Sequence, residues 1–237
     1  MSLRTVVPVC IALLISGAAH AQYQMISPML FEGPRISLQD HAGRSLSAPA
    51  GRSAAQPRPG QEVDAASFRY RPDLARRRAN LARFVDRSRA ADPQGADNLA
   101  ALFAQGDLIE RMRPELAKYG LVIDNLADAY TVWWISAWQA SQGRTDDVSA
   151  ATAAAVRRQV VQSMASTPAL RTAGDAAKQE MAEALLVQGV LLAGALEQAK
   201  GDREQMAAVS RAAVQGARGM GLDLSAMTLT EAGFVPD

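Results

Sequence analysis

Cysteine and histidine are nearly missing from this chain: Cys10 is the single cysteine, and His20 and His41 are the two histidines. All three lie in the first quarter of the sequence. Its opening, MSLRTVVPVCIALLISGAAHA, has a basic residue at Arg4, an apolar run over residues 6–15 and small residues at Ala19 and Ala21. That is the pattern of a secretory signal peptide over residues 1–21, with cleavage expected after Ala21. The run is shorter than the roughly 20 apolar residues that span a bilayer, so no transmembrane segment is expected after cleavage. The expected location is the periplasm or the outside of the cell.

Cleavage would leave a chain without cysteine, which excludes a disulfide, a thiolate nucleophile and a cysteine metal ligand. Loss of His20 leaves only His41, in a segment read below as a linker. A Ser-His-Asp triad, a Cys-His pair and the histidine-based metal motifs all need an imidazole within the folded part. Carboxylate chemistry or no chemistry remains, and no cofactor or metal site is expected.

Residues 22–66 are rich in Pro, Gly, Ser, Ala and Gln, as in RSLSAPAGRSAAQPRPGQEVD, and have no apolar periodicity. Such a segment cannot bury enough apolar surface to offset its ordering entropy, so it reads as a disordered linker. Residues 67–237 read as one all-α domain, a single bundle of about seven helices near residues 72–91, 95–105, 107–119, 125–143, 149–166, 175–200 and 202–218. Pro93 limits the first helix, Gly120 suits the left-handed position that ends the third, and Thr167-Pro168 offers a cap and a first-turn proline. No strand pattern, repeat or heptad series is present. Within the long sixth helix, ALLVQGVLLAGAL has Gln188 as its only polar side chain, and Gly189 and Gly194 favour close approach of a neighbouring helix.

Three features are candidates for function. The first is the stretch NLADAYTVWWISAWQASQG, which holds every tryptophan of the chain, Trp133, Trp134 and Trp138. At 100° per residue its apolar side chains reach nearly all round the helix, as expected of a central bundle helix. Three buried indoles contribute about 10 to 20 kcal/mol gross, so a structural role is sufficient to explain them. Asn125 is expected to cap this helix and Asp128 to answer it in a capping box. The functional alternative is a binding pocket formed where Asp128, Trp134, Trp138 and Gln139 meet Glu180, Glu183 or Gln188 of the long helix.

The second feature is the carboxylate pair Glu183 and Asp128, the candidate catalytic residues if the protein cleaves cell-wall glycan, a reaction that needs only one or two acids. The third is the arginine-rich first helix, where Arg76, Arg77, Arg78 and Arg83 could attach the protein to an anionic surface. Leu74, Leu81, Phe84 and Val85 are expected to form its inward face, with the arginines in solvent. An exported protein rarely meets nucleic acid, and none is expected here.

The run YGLVIDNLADAYTVWWISAWQASQGRTDD, followed in order by AVRRQV, KQEMAEALLVQGVLL and GLDLSAMTLTEAGF, resembles an uncharacterised family of secreted bacterial proteins known only as a domain of unknown function. The resemblance covers residues 68–234. It implies an exported helical bacterial protein and brings no catalytic residue, substrate or cofactor with it. The leading expectation is a non-catalytic periplasmic or secreted binding protein. Its partner would be an envelope or extracellular molecule that the sequence does not identify, and the oligomeric state is equally unspecified.

Overall fold

The computed structural model describes residues 64–237, so the signal peptide and all but the last three residues of the linker lie outside the described residues. Helix is the dominant structure, in the order α1 (Leu74–Arg89), α2 (Pro93–Ala104), α3 (Leu108–Ala117), α4 (Leu126–Gln142), α5 (Ala150–Ala165), α6 (Pro168–Arg171), α7 (Asp175–Gln198) and α8 (Arg203–Gly219). The seven longer helices match the expected ones. The single turn α6 is additional, and at its start Thr167 makes no side-chain capping bond.

Six of the eight helix starts in the described residues have a local cause. Asp73, Asp92, Asp107, Asn125, Ser149 and Asp202 accept backbone N–H groups at the starts of α1, α2, α3, α4, α5 and α8, which supplies partners for donors a helix cannot satisfy internally. After α3, Gly120 takes φ 70° and Leu121 N–H donates to the Leu116 carbonyl at 3.1 Å, the closing bond of a Schellman ending.

The linker boundary shifts slightly. Residues 65 and 66, assigned to the linker from composition, belong to a 3-10 turn, Ala65–Phe68, whose cap is Asp64. Tertiary bonds hold this turn where composition alone has no reason to. Asn125 Nδ2 donates to the Ala65 carbonyl, and buried Lys178 donates to the Ser67 carbonyl, while Phe68 is fully buried.

Helices α4 and α7 form the centre and make the most extensive contact in the molecule. Gly189 is the reason they approach closely: a methyl group there would lie 3.3 Å from Val132 Cγ1 and 3.8 Å from the Trp133 Cα. Gly194 does not share this role, since nothing lies within 4 Å of its missing side chain. By length and hydropathy α7 resembles a membrane span, yet 78% of its most apolar window is buried inside the bundle. Its apolar run is spent on the core.

The expectation of no strand fails at the C-terminus. There β1 (Met227–Thr230) and β2 (Gly233–Pro236) pair as an antiparallel hairpin with Leu229 opposite Phe234. Strands of four residues are too short to show period-two patterning, and these gain their burial by docking on helices. Gln159 of α5 grips β2 by its backbone, accepting from Phe234 N–H at 2.9 Å and donating to the Phe234 carbonyl at 2.7 Å. In effect, a side-chain amide takes the place of a neighbouring strand.

Candidate functional site

The buried polar chemistry gathers around Arg77. Helix α1 turns Arg77, Asn80, Phe84 and Ser88 inward, positions three, four and four apart on one face. This corrects the expected orientation: Arg77 is 2% exposed, whereas Leu74, assigned to the inward face, is 58% exposed. The cause is tertiary. Opposite Arg77 stands Glu183 of α7, 1% exposed, with Gln179 one turn before it, so the buried stripe is set by ion pairing as well as by apolar contact.

Arg77 Nε donates to Glu183 Oε1 at 2.9 Å, and Nη1 donates to Asp107 Oδ2 at 2.6 Å and to Glu110 Oε1 at 2.9 Å. Asn80 Nδ2 donates to Glu183 Oε2 at 2.6 Å, and Gln179 Nε2 adds a third donor to the same carboxylate at 2.9 Å. Gln179 also bonds the Asp73 carbonyl and accepts from Asp73 N–H and Arg76 Nη1. One guanidinium thus ties α1 to the start of α3 and to the middle of α7. Nη2 is the one nitrogen of Arg77 left buried without a partner.

The electrostatics agree with this geometry. Burial by itself disfavours the charged Arg77, but hydrogen bonds to Glu110, Asp107 and Glu183 outweigh it and push its pKa up. Hydrogen bonds from Arg113, opposed by burial and joined by Arg77, hold the Glu110 carboxyl below its ordinary value. Beside the network a small hollow between α1 and α7 is bordered by Asn80, Phe84, Arg87, Glu180, Glu183 and Val187, with about 10 Å³ of internal space. That is room for about one water molecule. At its rim Glu180 faces Arg83 at 3.3 Å and Arg87 at 3.6 Å.

Asp128 belongs to a different set of partners. Asn125 Oδ1 caps α4 through Ala127 N–H and Asp128 N–H, but Asp128 does not complete a capping box. Its carboxylate instead accepts Val122 N–H at 2.9 Å and both Nε and Nη2 of Arg157 from α5. Burial raises the Asp128 pKa, and the Arg157 and Val122 hydrogen bonds only partly offset that rise.

The tryptophans are sealed in, at 0%, 7% and 4% exposure for Trp133, Trp134 and Trp138. Tyr130 meets Trp133 and Trp134 edge to face, and Phe234 of the hairpin stacks on Trp134 at 4.5 Å with an interplanar angle of 22°. Trp138 Nε1 donates to the Met227 carbonyl at 2.9 Å, and the Arg144 guanidinium lies 5.3 Å from the Trp138 ring centre. The indole N–H groups of Trp133 and Trp134, and both amide atoms of Gln188, are buried without partners.

The candidate pocket residues that do have polar partners take them separately. Asp128 binds Arg157, Gln139 donates to the Asp146 carbonyl in the turn after α4, and Glu183 binds Arg77. Of the candidate surface arginines, Arg76 is tied to Gln179 and Arg83 to Asn80 and Glu180, while Arg78 is exposed with no ion-pair partner among the described residues. Sequence reasoning missed Asn80, Gln179, Asp107 and Glu110. A usable signal did exist, since Arg77 and Asn80 sit three apart and Gln179 and Glu183 four apart, each pair on one helix face. Among the described residues no group of His, Cys, Asp and Glu is arranged to hold a metal ion.

Fold and buried chemistry together define an all-α bundle protein, 71% helical over the described residues, with an arginine-centred polar lock between its helices. The chain belongs to DUF6683, a family of unknown function whose model matches residues 35–237. That match begins well before residue 68, where the sequence resemblance starts. No curated protein and no solved structure matches the chain.

Proposed function

We propose that this is a non-catalytic helical binding protein, exported to the periplasm or the outside of the cell, whose partner is an envelope or extracellular molecule. One observation carries the non-catalytic part: both candidate acids are themselves buried and committed to ion pairs on different elements, Glu183 to Arg77 and Asp128 to the partly exposed Arg157. A glycan-cleaving acid must reach a glycosidic oxygen across an open cleft. Glu183 already accepts from Arg77, Asn80 and Gln179, and the hollow beside it has room for about one water. The export part rests on the opening segment, with its apolar run and its small residues at Ala19 and Ala21.

Site-specific photo-crosslinking in intact cells, followed by reconstitution with the purified partner, tests the reading. A single partner that binds the purified chain is the expected result. Turnover of a purified cell-wall glycan that disappears in Glu183→Gln or Asp128→Asn overturns it in favour of the carboxylate enzyme.

Attachment to an anionic surface through α1 has less support. Arg77 is buried, Arg76 and Arg83 are engaged with Gln179, Asn80 and Glu180, and Arg87 and Arg89 face Glu180 and Asp97. The cation field of this helix is therefore largely compensated within the molecule.

A further inference from the structure

We propose that the groove between α4 and α5 is a peptide-docking site held shut by the protein's own C-terminal strand, which an extended peptide bearing an aromatic residue displaces. The inference deepens the binding-protein reading and rests on it. Strand β2 is seated as an extended peptide ligand would be. Its Phe234 ring fills an aromatic slot, stacked on Trp134 at 4.5 Å and edge-on to Trp138 at 6.1 Å. Its backbone is read at one residue by both ends of the Gln159 amide. The residue before the ring suits glycine: its φ of 101° strains any side chain, and a methyl group there would lie 2.5 Å from Gln159 Oε1 and push that amide off the strand. Main-chain bonds and a pocket for one side chain are the two elements of strand-type peptide recognition.

Two further observations separate this arrangement from ordinary core packing. The hairpin does not sustain itself: a two-stranded hairpin is marginal alone, and its turn residues are Glu231 and Ala232, not the Asn-Gly or Asp-Gly pairs that favour tight hairpins. Its hold on the bundle depends on Gln159, on the Trp138 bond to Met227 and on the rings, a small set of contacts for a locally opening unit. The internal strand also leaves Trp134 Nε1 buried and unpaired beside Phe234. A ligand with a carbonyl or hydroxyl at that point satisfies a donor that the tail does not.

The test uses the full chain and a fluorescein-labelled synthetic peptide, TEAGFVPD, which reproduces residues 230–237. Phe234→Ala empties the slot and is expected to bind the peptide at least about tenfold tighter than wild type, with Trp134→Leu in that background abolishing the gain. Gly233→Ala, which drives the tail from Gln159 and leaves the groove intact, gives the same gain if Phe234→Ala does not fold. Equal affinity for wild type and the folded tail variants overturns the proposal, as does binding that survives Trp134→Leu. In hydrogen exchange of the wild type, residues 227–236 should open at least about tenfold more readily than α4. Opening of both only together also overturns it. An identified cross-linked partner that binds the tail variants no better than wild type removes this site and leaves the binding-protein reading in place.

Discussion

Arg77 Nε lies 2.9 Å from Glu183 Oε1, and the two side chains are 3% and 1% exposed. Each was a functional candidate for a different reason, one as a surface cation and the other as a catalytic acid. Paired, they explain each other's burial. A buried ion pair loses several kcal/mol per ion to desolvation and recovers it only with good geometry and additional hydrogen bonds, which Asn80, Gln179, Asp107 and Glu110 supply.

Removing both members should therefore cost less than the two single removals added together. Arg77→Met leaves Glu183, Asp107 and Glu110 without their shared cation, and a loss of about 3 to 5 kcal/mol is expected in urea unfolding. Glu183→Met leaves the Arg77, Asn80 and Gln179 donors without their shared acceptor and should cost a similar amount. In Arg77→Met/Glu183→Met the loss should fall well short of the sum of the singles, and strict additivity would refute the coupling.

Asp128 and Glu110, whose pKa values are displaced in opposite directions, should respond to pH with opposite signs. The Asp128 carboxyl is raised in the folded state, chiefly by burial. The folded protein then holds this proton more tightly than the unfolded chain does. Stability attributable to Asp128 falls as pH rises from its unfolded value toward the raised one, so Asp128→Asn should gain on wild type across that window. Glu110 is lowered, chiefly by its Arg113 hydrogen bond. Its contribution is present above the unfolded value and is lost as pH falls through the folded one, so Glu110→Gln should lag wild type near neutral pH and converge with it in acid. Unfolding free energies measured from acid to neutral pH check both slopes, and a shared sign would contradict the site geometry.

The helices were legible because their ends are chemically marked. Asp92-Pro93, Gly120, Asn125, Gly143 and Asp202 each specify a local backbone geometry, and each sits at the expected boundary. The all-round apolar character of α4 likewise marked it as central. What sequence did not reveal depends on partners distant along the chain. Arg77 reads as a solvated cation until Glu183, 106 residues later, is brought against it. Strand β2 has no pattern of its own and becomes a strand by pairing with β1 and with Gln159. Asp128 was read as the acid of a capping box from its spacing to Asn125, but Arg157 and Val122 compete successfully for its carboxylate.

Hairpin docking predicts a large effect from a very small change. Gly233 has φ 101°, where a side chain is strained, and any Cβ meets Gln159. Gly233→Ala should lower stability by about 1 to 3 kcal/mol. It should also shift tryptophan emission to the red as Phe234 leaves Trp134. Unchanged emission and melting temperature would show that the clamp contributes nothing.

The two glycines of α7 provide a contrast inside one helix. Both carry the same propensity penalty, about 0.5 to 1 kcal/mol relative to alanine, but only Gly189 has a neighbour within contact distance. Gly194→Ala adds a methyl group to open space and should raise stability by about 0.5 to 1 kcal/mol, visible as a higher melting temperature. Gly189→Ala places its methyl 3.3 Å from Val132 Cγ1 on the facing helix, so Val132 must yield before any propensity gain appears. A larger residue removes that compromise: Gly189→Leu should force α4 and α7 apart and cost about 3 kcal/mol or more, beyond the range of ordinary overpacking because the obstacle includes Trp133 backbone. If both alanine variants stabilise equally, the close approach of the two central helices does not constrain position 189, and the account of the core given by α4 and α7 is wrong at its centre.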